Sequence, residues 1–146
     1  MPFTQNEIER RQALIRRNLE EGQAFIAFSF TGAYYLSGAP IVHWGRPAIC
    51  VVPKSDPAFY VVSAMEMPRL ASLGHIKDTA DYQDYQGPSL DCALNQLVIR
   101  LNSIGIKSAM IDGSMAPFAT IQKLKGRSPK LEITDGTSVL NSARLI

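Results

Sequence analysis

Ala24-Phe25-Ile26-Ala27-Phe28-Ser29-Phe30 is apolar at six of its seven positions. A strand with one face in water alternates apolar and polar residues, whereas a strand covered on both faces reads as an unbroken apolar run. The stretch therefore predicts a strand in the middle of a sheet with cover on both sides. Two further apolar runs follow, Pro47-Ala48-Ile49-Cys50-Val51-Val52-Pro53 and Ala58-Phe59-Tyr60-Val61-Val62. Only the turn-rich Lys54-Ser55-Asp56-Pro57 separates them, which predicts an antiparallel hairpin.

Helices are expected around these strands. Thr4-Gln5-Asn6-Glu7 reads as a capping box, with the Thr4 hydroxyl on the Glu7 amide and the Glu7 side chain reaching back. The helix is expected to run to about Glu21 and stop at Gly22, burying Ile8, Leu14, Ile15 and Leu19. Thr31 to Leu36 forms a short helical turn closed by Ser37-Gly38, and Met65 to Ser72 a short helix with Pro68 in its first turn. Asp78 to Tyr85 is polar and irregular, with room for one edge strand. Leu90, Leu94, Leu97, Leu101 and Ile104 step by four and three, an amphipathic helix ended by Gly105. Ser108 to Ile111 and Lys130 to Ile133 are strands, Ala116 to Lys125 a helix ended by Gly126, and Thr137 to Leu140 a helical start. Helical crossovers of this length link parallel strands. The expected fold is α/β, a three-layer arrangement with a mixed five-stranded sheet and helices on both faces. The first strand is central, the hairpin on one side and the two later strands on the other.

The 146 residues carry 15 Lys and Arg against 13 Asp and Glu, a net +2 that gives no footprint for nucleic acid or an anionic membrane. The longest strictly apolar runs, Ala24 to Phe28 and Ala48 to Val52, are far short of a spanning helix. Two lone cysteines, Cys50 and Cys92, fit a reducing compartment, so a cytoplasmic domain is expected. No Gly-rich phosphate loop, nucleophile elbow or metal-ligand spacing is present, and both cysteines read as structural thiols. His43 and His75 read as loop or partly buried histidines rather than ligands. Asp78, Asp81, Asp84, Asp91 and Asp112 fit turns and helix caps better than a calcium loop. The cluster Arg10, Arg11, Arg16, Arg17 reads as a solvated helix face, with Glu7, Glu20 and Glu21 at pairing distance.

Ile41-Val42-His43-Trp44-Gly45-Arg46-Pro47 sets the sole tryptophan and an arginine two apart, just before a strand. An exposed Trp offers a flat apolar surface and Arg a fork that takes carboxylates, which makes the pair a candidate contact for a ligand or partner. The plainer reading has Trp44 closing one end of the core and Arg46 pairing with a local acid.

The ordered set of elements resembles the N-terminal domain of the creatinase/prolidase/aminopeptidase P family, the "pita-bread" metallohydrolases. The likeness rests on Arg10-Arg11 and Leu14 in the opening helix, and on Phe30 to Gly38, similar to the family's Asn-hydrophobic-x-Tyr-Leu-(Ser/Thr)-Gly element. It continues through Arg46-Pro47-Ala48 into Val51-Val52-Pro53, Glu66, Ile104-Gly105-Ile106 and the tail Leu140 to Ile146. Gly32 or Ala33 stands where the family often has Asn.

The resemblance implies a ribonuclease H-like fold motif and makes residues 1–146 a non-catalytic N-terminal domain. Catalysis in the family belongs to a C-terminal domain with a dinuclear site of two Asp, one His and two Glu, holding Mn, Co or Zn (creatinase works without metal). No cofactor or catalytic residue is expected within residues 1–146. The implied partners are that catalytic domain, a second subunit in a homodimer, and a small peptide or amidine-type substrate. The N-terminal domain of the family commonly lies over the other subunit's active site, and in creatinase-like members an aromatic residue and an arginine, two apart before a strand, reach the substrate there. Trp44 and Arg46, with His43 beside them, occupy similar positions. Two other readings are a stand-alone binding or dimerisation module and a divergent ribonuclease H-like nuclease using Asp112.

Overall fold

The computed structural model describes residues 3–41, 46–73 and 75–145. The elements run α1 (Gln5–Arg16), β1 (Gln23–Ala27), α2 (Phe30–Ser37), β2 (Ile49–Pro53), β3 (Phe59–Ser63), α3 (Met67–Leu73), β4 (Asp78–Tyr82), α4 (Ser89–Ser103), β5 (Ser108–Ile111), α5 (Phe118–Arg127), β6 (Glu132–Asp135) and α6 (Thr137–Arg144). They build one sheet in the order β4-β3-β2-β1-β5-β6. β1 pairs antiparallel with β2 and parallel with β5, β2 and β3 form the expected antiparallel hairpin, and β3–β4 and β5–β6 are parallel.

The central strand divides its side chains between two cores. Phe25 and Ala27 face one side with Ile15, Leu36, Ile41 and Leu140, beneath α1, α2 and α6. Ala24, Ile26 and Phe28 face the other with Leu94, Leu97, Leu101 and Leu124, beneath α4 and α5. The strict two-residue alternation of a strand thus meets apolar cover on both faces, which is why the sequence shows no alternation there. Each fully buried Phe or Ile contributes about 1.5–3 kcal/mol relative to exposure.

The sheet has six strands rather than the expected five. The sixth is β4, an edge strand in which Ala80 and Tyr82 enter the second core while Asp81 faces solvent. Only every second position is apolar, and Asp78 is drawn to Arg100 at 2.6 Å, so the segment reads as polar until β3 stands beside it.

Four expectations about the helices change once their side-chain partners are in place. Thr4 does cap the Glu7 amide at 3.1 Å, but the Glu7 carboxylate turns to Arg10 and Arg11 instead of back to Thr4. α1 ends at Arg16, not near Glu21: the Lys54 ammonium donates to the Arg16 carbonyl at 2.8 Å and stops the helix there. Gly22, at φ +78°, instead turns the chain into β1. α5 continues through Gly126 to Arg127, whose guanidinium reaches Asp91 at 2.7 Å and Asn95 at 3.0 Å. The arginine cluster is a solvated face only in part. Arg11 stacks on the rings of Phe3 and Tyr35, and Arg16 donates to the carbonyls of Pro53 and Asp56 rather than pairing with Glu20.

Asp112, completely buried just past β5, is the polar tie of the sheet. Its carboxylate accepts the backbone N–H groups of Phe28 at 2.9 Å and Ser29 at 2.8 Å, together with the Ser29 hydroxyl. Ser29 in turn caps α2 by accepting the Gly32 N–H at 3.0 Å. A Cβ at Gly32 would lie 3.0 Å from the Asp112 carboxylate, so glycine lets α2 begin this close. At the other end Gly38, at φ +74°, closes α2 in the left-handed conformation.

Asp112→Ala strands two buried N–H donors and is expected to destabilise the fold by about 3 kcal/mol or more, read as a lower urea midpoint. A midpoint within error of the parent rules out the tie. Its two arginine partners hold the Glu7 carboxyl down at about 2, against an ordinary 4.5. A lowered carboxyl stabilises above its unfolded value and loses that contribution as pH falls to its folded value. Glu7→Gln should therefore be less stable than the parent at neutral pH, the gap closing between about 4.5 and about 2. Parallel stability profiles across that window contradict it.

Candidate functional site

Every strand except β2 runs in the same direction, so β1, β3, β4, β5 and β6 all end at one edge of the sheet, where β2 begins. Backbone turning from strand to helix leaves open positions at such an edge, and ligands of open α/β sheets gather there. Arg46 lies at this edge, on the approach to β2. His43 and Trp44, the other two residues singled out from the sequence, lie outside the described residues.

Arg46 is held through one side of its guanidinium. Its Nε stands 3.1 Å from Asp84 Oδ2, in the turn after β4. Asp84 also accepts the Ser63 hydroxyl at 2.7 Å, from the end of β3, and the Ser89 hydroxyl at 3.1 Å, from the first turn of α4. Three elements thus converge on one carboxylate. Tyr82 pins the same approach by donating its phenol to the Pro47 carbonyl at 2.7 Å. Burial pushes the Tyr82 phenol up, and the Asp84 charge adds to the shift. With Arg46 at 42% side-chain exposure, the ion pair orients the guanidinium more than it stabilises the fold. Its terminal amino groups have no partner among the described residues. The pairing of Arg46 with a local acid and its availability to a ligand therefore coexist.

Beside Arg46 opens a cleft of about 230 Å³, walled by Phe28, Pro47, Ile49 and Leu90, with Pro117 and Thr120 of the α5 start at its end. Large apolar side chains crowd the same edge: among the described residues, Phe30, Met65, Tyr85, Met115 and Phe118 are all exposed there. Tyr85 and Phe118 are 82% and 76% exposed, far more than core residues of their size.

The remaining candidates have structural employment. Asp112 commits both carboxylate oxygens to Phe28 and Ser29, just past β1. Asp135, beside it at the end of β6, accepts from Gly113 and Thr137, and the Thr137 hydroxyl chiefly holds its carboxyl below the usual range. No group of three potential metal ligands comes together among the described residues. Cys50 is buried, its thiol pushed up by burial and by the Asp112 charge, and Cys92 is half-buried. His75 rests in a loop with Nδ1 3.1 Å from Gln5 Oε1. Ser63, Ser89 and Thr120 escape sequence reasoning because nothing local distinguishes them; only their convergence from β3, α4 and α5 gives them a role.

The sequence profile described as Creatinase/Prolidase N-terminal domain matches residues 10–146. A search of curated proteins found no match. Among solved structures, the chain is similar to the dipeptidase PepE from Mycobacterium ulcerans, with TM-score 0.74, 18% identity and 100% of this chain covered. It spans only 38% of that protein. A proline dipeptidase from Streptococcus pneumoniae TIGR4 aligns with TM-score 0.76 at 16% identity, covering 96% of this chain and 98% of that one. The N-terminal domain of the cytoplasmic peptidase PepQ from Mycobacterium tuberculosis H37Rv gives TM-score 0.71 at 16% identity, covering 93% and 98%. These structures share the fold, and the profile match over nearly the whole length establishes membership: the chain belongs to the creatinase/prolidase N-terminal domain family.

Proposed function

We propose that residues 1–146 are the non-catalytic N-terminal domain of an Xaa-Pro peptidase- or creatinase-like hydrolase, placed over the active site of the other subunit in a homodimer. The observation that carries this reading is the strand-end edge itself. It gathers exposed Phe30, Met65, Tyr85, Met115 and Phe118 around an arginine with uncommitted donors. An apolar rim of this kind is suited to contact with another protein surface, and a guanidinium within it is suited to a substrate carboxylate. The family match and the peptidase neighbours support the same reading. In it, Arg46 supplies positive charge to a small peptide or amidine-type substrate, with Trp44 and His43 beside it. Apolar cover excludes water from the site and strengthens that interaction. The reaction belongs to a catalytic domain of the same polypeptide, where a dinuclear Mn, Co or Zn site would act. A cytoplasmic setting fits the two unpaired cysteines. No helix among the described residues is long and apolar enough to cross a membrane.

Purified alone, the 146-residue chain is expected to hydrolyse neither Xaa-Pro dipeptides nor creatine when Mn²⁺, Co²⁺ or Zn²⁺ is supplied. In the polypeptide that joins it to the catalytic domain, Arg46→Ala should lower kcat/KM at least about tenfold, about 1.4 kcal/mol. Turnover by the isolated chain, or unaltered kinetics in the variant, overturns the proposal.

A further inference from the structure

We propose that the cleft beside Arg46 is itself a binding site for a small carboxylate with an apolar body, of about the size of isovalerate or benzoate. Its walls set the body of the ligand. Phe28, Ile49, Leu90 and Pro47 offer a surface without hydrogen-bonding side chains. The volume of about 230 Å³ lies under the usual range for drug-sized ligands and excludes a nucleotide or a folded peptide.

The donors at the cleft set the head group. Thr120 lines it and is 7% exposed, yet its hydroxyl has no hydrogen-bond partner among the described residues. Among the described residues the enclosed, unpartnered side-chain oxygen is that of Tyr60, on the other face of the sheet, so the unpartnered Thr120 oxygen is not enclosed. An acceptor on a ligand in the cleft would give that hydroxyl a partner. α5 begins at the same place with Pro117 as its cap residue and no side-chain acceptor. The first helical bond is from Ile121 to Pro117 O, which leaves the N–H groups of Phe118, Ala119 and Thr120 without helical partners. Of these residues Thr120 lines the cleft, as does Arg46, and their donors favour an anion. The charge is single rather than double, because Asp84 already occupies the Nε side of Arg46 and offsets part of its charge. One negative charge on a compact apolar body satisfies both halves of the cleft.

This inference deepens the reading of Arg46 as a ligand-facing residue and rests on it, but it concerns a cleft built wholly within one chain. Its test is a titration of the 146-residue chain with benzoate and with isovalerate, followed by backbone amide shifts. Saturable shifts at Ile49, Leu90 and Thr120 in the low millimolar range are expected. Arg46→Met should weaken binding at least about tenfold and Thr120→Val about fivefold, while Thr120→Ser, which keeps the hydroxyl, stays near the parent. Benzamide, isosteric and uncharged, should bind as weakly as benzoate binds to Arg46→Met. Absence of saturable shifts, or equal affinity for benzoate and benzamide, overturns the site; so does unchanged affinity in Thr120→Val. If Thr120→Val loses its dispersed spectrum, the Thr120→Ser and benzamide comparisons decide alone. Failure here leaves the kcat/KM effect of Arg46→Ala untouched, and benzoate binding with unaltered kcat/KM does the reverse.

Discussion

The buried Asp112 carboxylate fixes where β1 stops relative to β5, and much of the remaining architecture follows from that. Two strands in parallel register, Phe25 opposite Met110 and Ile26 opposite Ile111, would leave the N–H groups after β1 unpaired as the chain lifts off the sheet. The carboxylate takes those of Phe28 and Ser29, so the chain turns there and α2 starts at once. A carboxylate is buried at this depth because several donors compensate for its lost hydration. The neighbouring Gly32 completes the constraint, since a larger residue would push α2 away.

That turn helps shape the site. With β1 ended cleanly, Phe28 serves as a wall of the cleft as well as part of the core, and the starts of α4 and α5 stand close enough to bound it. Asp84 performs a smaller version of the same task at the hairpin side, gathering Ser63, Ser89 and Arg46 onto one carboxylate. Two acids thus organise the functional edge without being its reactive groups. One anchors the sheet and the other aims an arginine.

The central position of β1, the hairpin, and the strong helix from Leu90 onward were legible in the sequence because each follows from a periodicity that the local chain carries by itself. β4 showed only as a polar stretch with room for an edge strand, since three of its five residues are charged or polar and the other two acquire meaning only beside β3 and α4. The end of α1 was illegible for a related reason. Glu20, Glu21 and Gly22 describe a helix terminus well, but Lys54, 38 residues away from Arg16, supplies the group that ends it. Arg46 could be singled out because Arg and Trp two apart before a strand are chemically conspicuous. Thr120 could not, because a threonine early in a helix is ordinary until its hydroxyl is found without a partner.

By itself, then, the sequence determined the α/β class, the two-sided burial of its first strand and the arrangement of the hairpin and the two later strands around it. Those properties depend on apolar periodicity, which every segment encodes locally. Tertiary structure alone decided which acid anchors, which acid orients, and which residues share a cleft. Each of those is a contact between residues tens of positions apart, and hydrogen-bond satisfaction in a buried place cannot be assigned until the distant partner has arrived.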